Sequence, residues 1–163
     1  MIRHFARPRT AILAAAAILA AGPVAAQMEI VPDDVIYGRQ ILMSEMEAQM
    51  APIDRAAIGE EFDLESSRVR ASGVSAMLGV TPYLFPPGTD MESTADGDMP
   101  SIALPAVWDN FEAFKAMADQ SAQLAFDLSQ TTDEAEFRTG AATLRAACNA
   151  CHGAFMQAYE SPF

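Results

Sequence analysis

The segment Cys148-Asn149-Ala150-Cys151-His152 sets two thiols three residues apart and an imidazole four residues after the first of them. On a helix those spacings bring all three side chains to one face. Two such sulfurs can add across the two vinyl groups of a porphyrin while the adjacent ring nitrogen binds its iron. This is the chemistry of covalent c-type haem attachment, with one haem c held by Cys148 and Cys151 and with His152 as proximal iron ligand. Thiol–disulfide exchange fits less well, because such motifs sit near a helix start in a strand–helix setting. A closed zinc site needs four ligands, and beyond the N-terminal leader described below only Cys148, Cys151 and His152 remain to supply them. A disulfide between close neighbours on one helix meets geometry that helical backbone rarely permits.

The histidine count narrows what else meets the iron. His4 lies in the N-terminal leader described below, so His152 is the one histidine of the mature chain. Ligation by two histidines of one chain is thereby excluded, and serine–histidine or cysteine–histidine nucleophilic schemes lack a free base. No catalytic residue and no enzymatic activity are expected. A methionine or an empty sixth position remains. Ile36, Arg39, Met43, Met46, Met50 and Ile53 recur at alternating spacings of three and four, the seam of a packed helix. Arg39 is the one charge in that seam; either a haem propionate pairs it or it reaches out to the bundle surface. Met43, one turn on, either meets the distal side of the iron or fills space as thioethers do.

The rest of the chain reads as four helical stretches divided by breakers. The first is expected over Asp33–Ala51, with Asp33 or Asp34 as its cap and Pro52 ending or kinking it. The second is expected over Asp63–Leu78, capped by Asp63, with Leu64, Val69, Val74, Met77 and Leu78 facing the core. Residues 80–104 hold four prolines, two glycines and several acids, which predicts an irregular surface connection. The acids Asp90, Glu92, Asp96 and Asp98 do not match a calcium loop. A third helix is expected from Pro105 to Ser129, carrying Trp108, Phe111, Phe114, Met117, Leu124 and Leu128 on one side. A fourth is expected from Thr131 or Thr132, with Glu134 completing a capping box, and its seam runs through Phe137, Ala141, Leu144, Cys148, either Cys151 or His152, Phe155 and Tyr159. The fold class is therefore all-α, an antiparallel up-and-down four-helix bundle, whose core is a common place for cofactors.

Ahead of the bundle, Arg3, Arg7 and Arg9 precede an apolar run over Ala11–Ala21 and the sequence Val24-Ala25-Ala26. That run is too short to cross a bilayer of about 30 Å, and the small residues predict cleavage before Gln27. Residues 1–26 are expected to be a cleaved signal peptide and residues 27–163 one haem-binding domain, with no membrane attachment afterwards. All 22 acidic residues but only seven of the ten basic ones follow the cleavage point, a net charge of −15. Such a surface excludes nucleic acid as a partner and steers a basic protein toward it.

Three separated parts resemble the class II cytochromes c, the family of cytochrome c prime. Tyr37-Gly38-Arg39-Gln40-Ile41-Leu42-Met43 is similar to a first-helix pattern of arginine followed four residues later by methionine or leucine. Leu84-Phe85-Pro86-Pro87-Gly88-Thr89-Asp90 and Leu104-Pro105-Ala106-Val107-Trp108 resemble the family's long loop and third-helix start, and the haem motif stands near the C terminus. The resemblance implies that Arg39 meets a propionate and that residue 43 overlies the iron. The signal peptide leads to the expectation of a periplasmic protein, and the resemblance leaves a homodimer, paired through the first two helices, as an expectation. If Met43 ligates, the iron is six-coordinate and low-spin and the role is one-electron transfer with a redox partner protein, the reading preferred here. The alternative is a five-coordinate site that binds nitric oxide or carbon monoxide. One departure stands out: Phe155 is followed by Met156, where some family members carry an arginine beside the proximal histidine.

Overall fold

The computed structural model describes residues 30–158. The expected signal peptide, its cleavage point, His4 and Tyr159 lie outside those residues. Four long helices, α1 (Pro32–Ala57), α2 (Leu64–Val80), α4 (Phe111–Gln130) and α5 (Glu134–Phe155), form the bundle, with a short α3 (Ala106–Asp109) preceding α4. Each long helix packs on its neighbours in the chain, and α5 closes the ring against α1.

The ends of the helices follow from local chemistry, though not always at the expected residue. Asp63 caps α2, its carboxylate accepting from the Ser66 amide at 2.6 Å. At α5 the cap is Asp133, accepting from the amides of Ala135 and Glu136 at 2.9 Å, rather than Thr131 or Thr132. A carboxylate satisfies two amides there and also favours the positive helix end. Neither Asp33 nor Asp34 caps α1. Val31 holds that position without a side-chain bond, and Pro32 supplies the first turn with its torsion already set.

Pro52 does not stop α1, which continues to Ala57. Ile53 and Ala56, just beyond it, have no exposed surface. An interior proline costs about 3 kcal/mol, and burying an isoleucine side chain returns about 2 kcal/mol, with Ala56 and the helix's closing bonds offsetting the rest. The end is tied down by Arg138, which donates to the carbonyls of Ala56 (3.0 Å) and Glu60 (2.9 Å).

Val69 faces solvent instead of the core, while Val74 and Leu78 are buried. The expected third helix is broken at Asn110, whose backbone leaves the helical region (φ −129°, ψ 45°). Asparagine holds helical backbone weakly, and the break lets α3 bury Val107 fully while Trp108 reaches back to donate to the carbonyls of Phe85 (3.0 Å) and Pro86 (3.1 Å).

The connection over residues 81–105 is less superficial than its composition suggests. It opens with a 3-10 turn (Thr81–Leu84) and buries Thr89, Thr94 and Ser101. Its far end pairs with the chain beyond α5: Ala103 and Met156 form an antiparallel bridge, flanked by bonds from Leu104 to Phe155 (2.9 Å) and Gln157 to Ile102 (2.8 Å). Two apolar clusters result. One joins Met46, Met50, Ile53, Val74, Phe137 and Leu144 in the bundle; the other joins Val107, Phe114 and Phe155 under the connection, with Phe85 and Trp108 against it.

Candidate functional site

A cavity of about 230 Å³ with mostly apolar walls lies between these clusters and opens to solvent. Arg39 and Met43 of α1 and Cys148, Cys151 and His152 of α5 all line it. The heptad seams of two helices that pack on each other thus bring together residues separated by more than a hundred positions in sequence.

Arg39 is buried, with 6% of its surface exposed, so it does not reach out to the bundle surface. It donates from Nη1 to Thr89 Oγ1 (3.1 Å) and from Nη2 to the Thr89 carbonyl (2.8 Å) and Ser101 Oγ (3.1 Å). Its guanidinium also stands 4.4 Å from the centre of the Phe85 ring. Thr89 is presented by the turn Pro86-Pro87-Gly88, where Gly88 adopts φ +79°, a conformation that side chains rarely take. Burial lowers the Arg39 pKa, yet a guanidinium stays charged. Among the described residues no carboxylate pairs with it. A buried cation without an anion on the wall of an apolar cavity is what a haem propionate would complement.

Arg39 therefore organises the connection. Arg39→Ala is expected to leave the Thr89 carbonyl without its donor, to take one of two donors from the Ser101 hydroxyl, and to lower stability by about 3 kcal/mol, read from urea unfolding. A loss within about 0.5 kcal/mol, typical of surface substitutions, would show that the loop holds itself.

Cys148 and Cys151 are half-buried and both are free thiols. Burial raises both pKa values, with Arg145 opposing the rise at Cys148 and the Cys148 charge adding to it at Cys151. Both are thereby held as protonated thiols, whose S–H adds across a vinyl group overall to leave a thioether. His152 lines the cavity and is exposed to solvent. Partial desolvation by the surrounding chain lowers its pKa; Arg145 pushes the same way and Glu47 pushes back. A neutral imidazole is the form that binds metal. Met43 is partly buried and packs against the bundle core while lining the cavity. Two thiols, an imidazole, a thioether and an unpaired buried cation around one apolar space fit a covalently held haem.

Several residues at this site were not singled out by sequence reasoning. Thr89 and Ser101 give no local sign, since their bonds to Arg39 span 50 and 62 residues. Phe85 was noted only within the loop pattern. Arg145, one turn before Cys148, and Glu47, one turn after Met43, also line the cavity. Their helical spacing from the chosen residues was the available signal.

Comparison with known proteins agrees with this fold. The sequence profile of the family described as Cytochrome C' matches residues 34–156. The chain is 31% identical over 120 residues to cytochrome c-556 of Agrobacterium fabrum, covering 70% of this chain and 75% of that one. It is 29% identical over 129 residues to cytochrome c' of Halomonas halodenitrificans, covering 76% and 96% respectively. Among solved structures, cytochrome c' from Rubrivivax gelatinosus superposes with a TM-score of 0.65 at 27% identity, over 77% of this chain and 97% of that one.

Proposed function

Because this chain belongs to the cytochrome c' family and is therefore a haem c protein, we propose that it is an exported one-electron carrier. In this reading Cys148 and Cys151 hold the haem, His152 is the proximal iron ligand and Met43 the distal one. Bound haem supplies an iron that changes oxidation state by one electron. Met43 would hold the iron through a thioether, a ligand that would favour the reduced state. Arg39 offers its buried charge to a propionate and fixes the haem's orientation against the connection.

The observation that carries the reading is that Met43, on α1, lines the same cavity as His152, on α5, while no second histidine exists among the described residues to compete with it. Export to the periplasm rests on Arg3, Arg7, Arg9 and the apolar run that follows them. Among the described residues no helix is long and apolar enough to cross a membrane. The charge of −15 after cleavage supports a redox partner with a basic surface. Exposed Tyr37 and Ile41 on α1 and Val69 and Val80 on α2 support pairing of two copies through those helices.

One observation favours a second reading, a five-coordinate site for nitric oxide or carbon monoxide: Met43 packs against the bundle core, as a methionine with no iron to reach would. The reduced holoprotein decides between them. The carrier is expected to show sharp, split low-spin bands that ignore added carbon monoxide. A broad high-spin spectrum that shifts with carbon monoxide would overturn it in favour of gas binding.

A further inference from the structure

Arg145 has no part in the chemistry above, yet its surroundings are specific. It stands one turn before Cys148 and two turns before His152 on α5, on the same helical side, and lines the cavity. Its guanidinium grips Asp54 with two bonds, Nε donating to Oδ1 at 2.9 Å and Nη2 to Oδ2. The remaining donors reach Glu47, with Nη1 and Nη2 each 3.2 Å from Oε2. Both carboxylates belong to α1. The other ion pairs among the described residues lie within single helices, so Arg145 makes the ones that tie helix to helix. It ties the two helices that carry Met43 and His152.

The two carboxylates are not equivalent. Asp54 is partly buried, at 28% exposure, and does not line the cavity; Glu47 is 66% exposed and does. Glu47 is also one turn from Met43 on the same helix. Arg145, Glu47 and His152 line the same cavity, so a change of charge at either partner is felt where the iron would sit. We propose that Arg145 is a positioning residue for the iron site whose partners divide its work: Asp54 anchors α5 to α1, and Glu47 sets the charge beside His152. The triad carries a net charge of −1, which favours the oxidised, more positive iron. The inference rests only on haem occupying this cavity and does not require Met43 to ligate.

Potentiometry and thermal unfolding of the holoprotein test it with Glu47→Gln, Asp54→Asn, Arg145→Lys and Arg145→Gln. Glu47→Gln removes a negative charge at the cavity edge and is expected to shift the redox equilibrium about threefold toward the reduced form. At 59 mV per tenfold for one electron that is about 30 mV upward. Its Tm should hardly move, since so exposed a pair contributes little. Asp54→Asn should lower Tm by several degrees and move the potential less than Glu47→Gln does. Arg145→Gln should lower both. Arg145→Lys should keep the potential closer to wild type than Arg145→Gln does, because the charge remains, while losing the two-pronged grip on Asp54 and hence Tm.

Equal potential shifts for Glu47→Gln and Asp54→Asn, or none for either, would overturn the division of roles. Failure of the wider reading would look different: a wild-type protein without covalent haem would show no redox wave at all. A wild type that binds carbon monoxide would remove Met43 as ligand and leave this test valid.

Discussion

Met43→Ala is expected to convert the reduced protein from a sharp, split spectrum indifferent to carbon monoxide into a broad one that shifts when the gas is added. The alanine methyl cannot reach an iron, and no other histidine stands among the described residues to replace the sulfur. Loss of the thioether should also lower the reduction potential, since methionine ligation raises it. Part of any change comes from packing, because Met43 contacts the bundle core. Met46→Ala and Met50→Ala separate the two effects. Both residues lie on the same seam, line the same cavity and are more deeply buried than Met43. Each should cost about 2–5 kcal/mol of stability while leaving the low-spin spectrum intact. If Met43→Ala leaves the spectrum unchanged, or if Met46→Ala alters it as much, the thioether of Met43 is not the sixth ligand.

What could be read in the sequence is what depends on helical repeat. The seam of α1 needs only spacings of three and four, and Ile36, Arg39, Met46, Met50 and Ile53 are buried as that spacing requires. The same rule placed Phe137, Ala141 and Leu144 in the core of α5. Features decided by competition between neighbours, or by distant burial, were harder to read. Asp133 and Thr132 are adjacent candidates for one cap, and only the backbone path shows which carboxylate or hydroxyl meets the free amides. Pro52 looks like a terminator until Ile53 and Ala56 are seen to be buried beyond it. Val69 has the residue type of a core position but lies on the outer face of α2, where one wrong step around the helix changes solvent for protein.

The site divides the same way. Arg39, Met43, Cys148, Cys151 and His152 converge because they follow the seams of two helices that must pack together. The Arg145 bonds to Asp54 and Glu47 span 91 and 98 residues, and nothing local in α1 marks those two acids among its others. The connection's inner side was hidden for a related reason. Thr89 and Ser101 look like loop residues by composition, and the long-range partner that holds them inward is the buried Arg39.

Removing both thiols, Cys148→Ala with Cys151→Ala, is expected to abolish covalent haem and to weaken the fold severely. Mass spectrometry of protein exported alongside the cytochrome maturation machinery should show the wild type with its haem and the double variant at the mass of the polypeptide alone. The consequence for stability follows from the cavity. A dry void of about 230 Å³ would cost about 5 kcal/mol at the rate found for core truncations. That is comparable to the whole stability of a typical domain, about 5–15 kcal/mol. Water entering through the open mouth reduces the penalty but solvates the apolar walls poorly, and the buried charge of Arg39 is left facing it. The variant should therefore unfold at markedly lower urea than the wild type, and haem added to it should restore part of the difference through His152, Met43 and Arg39 without the thioethers. A double variant that still carries haem through denaturing mass analysis would show that attachment runs through neither cysteine.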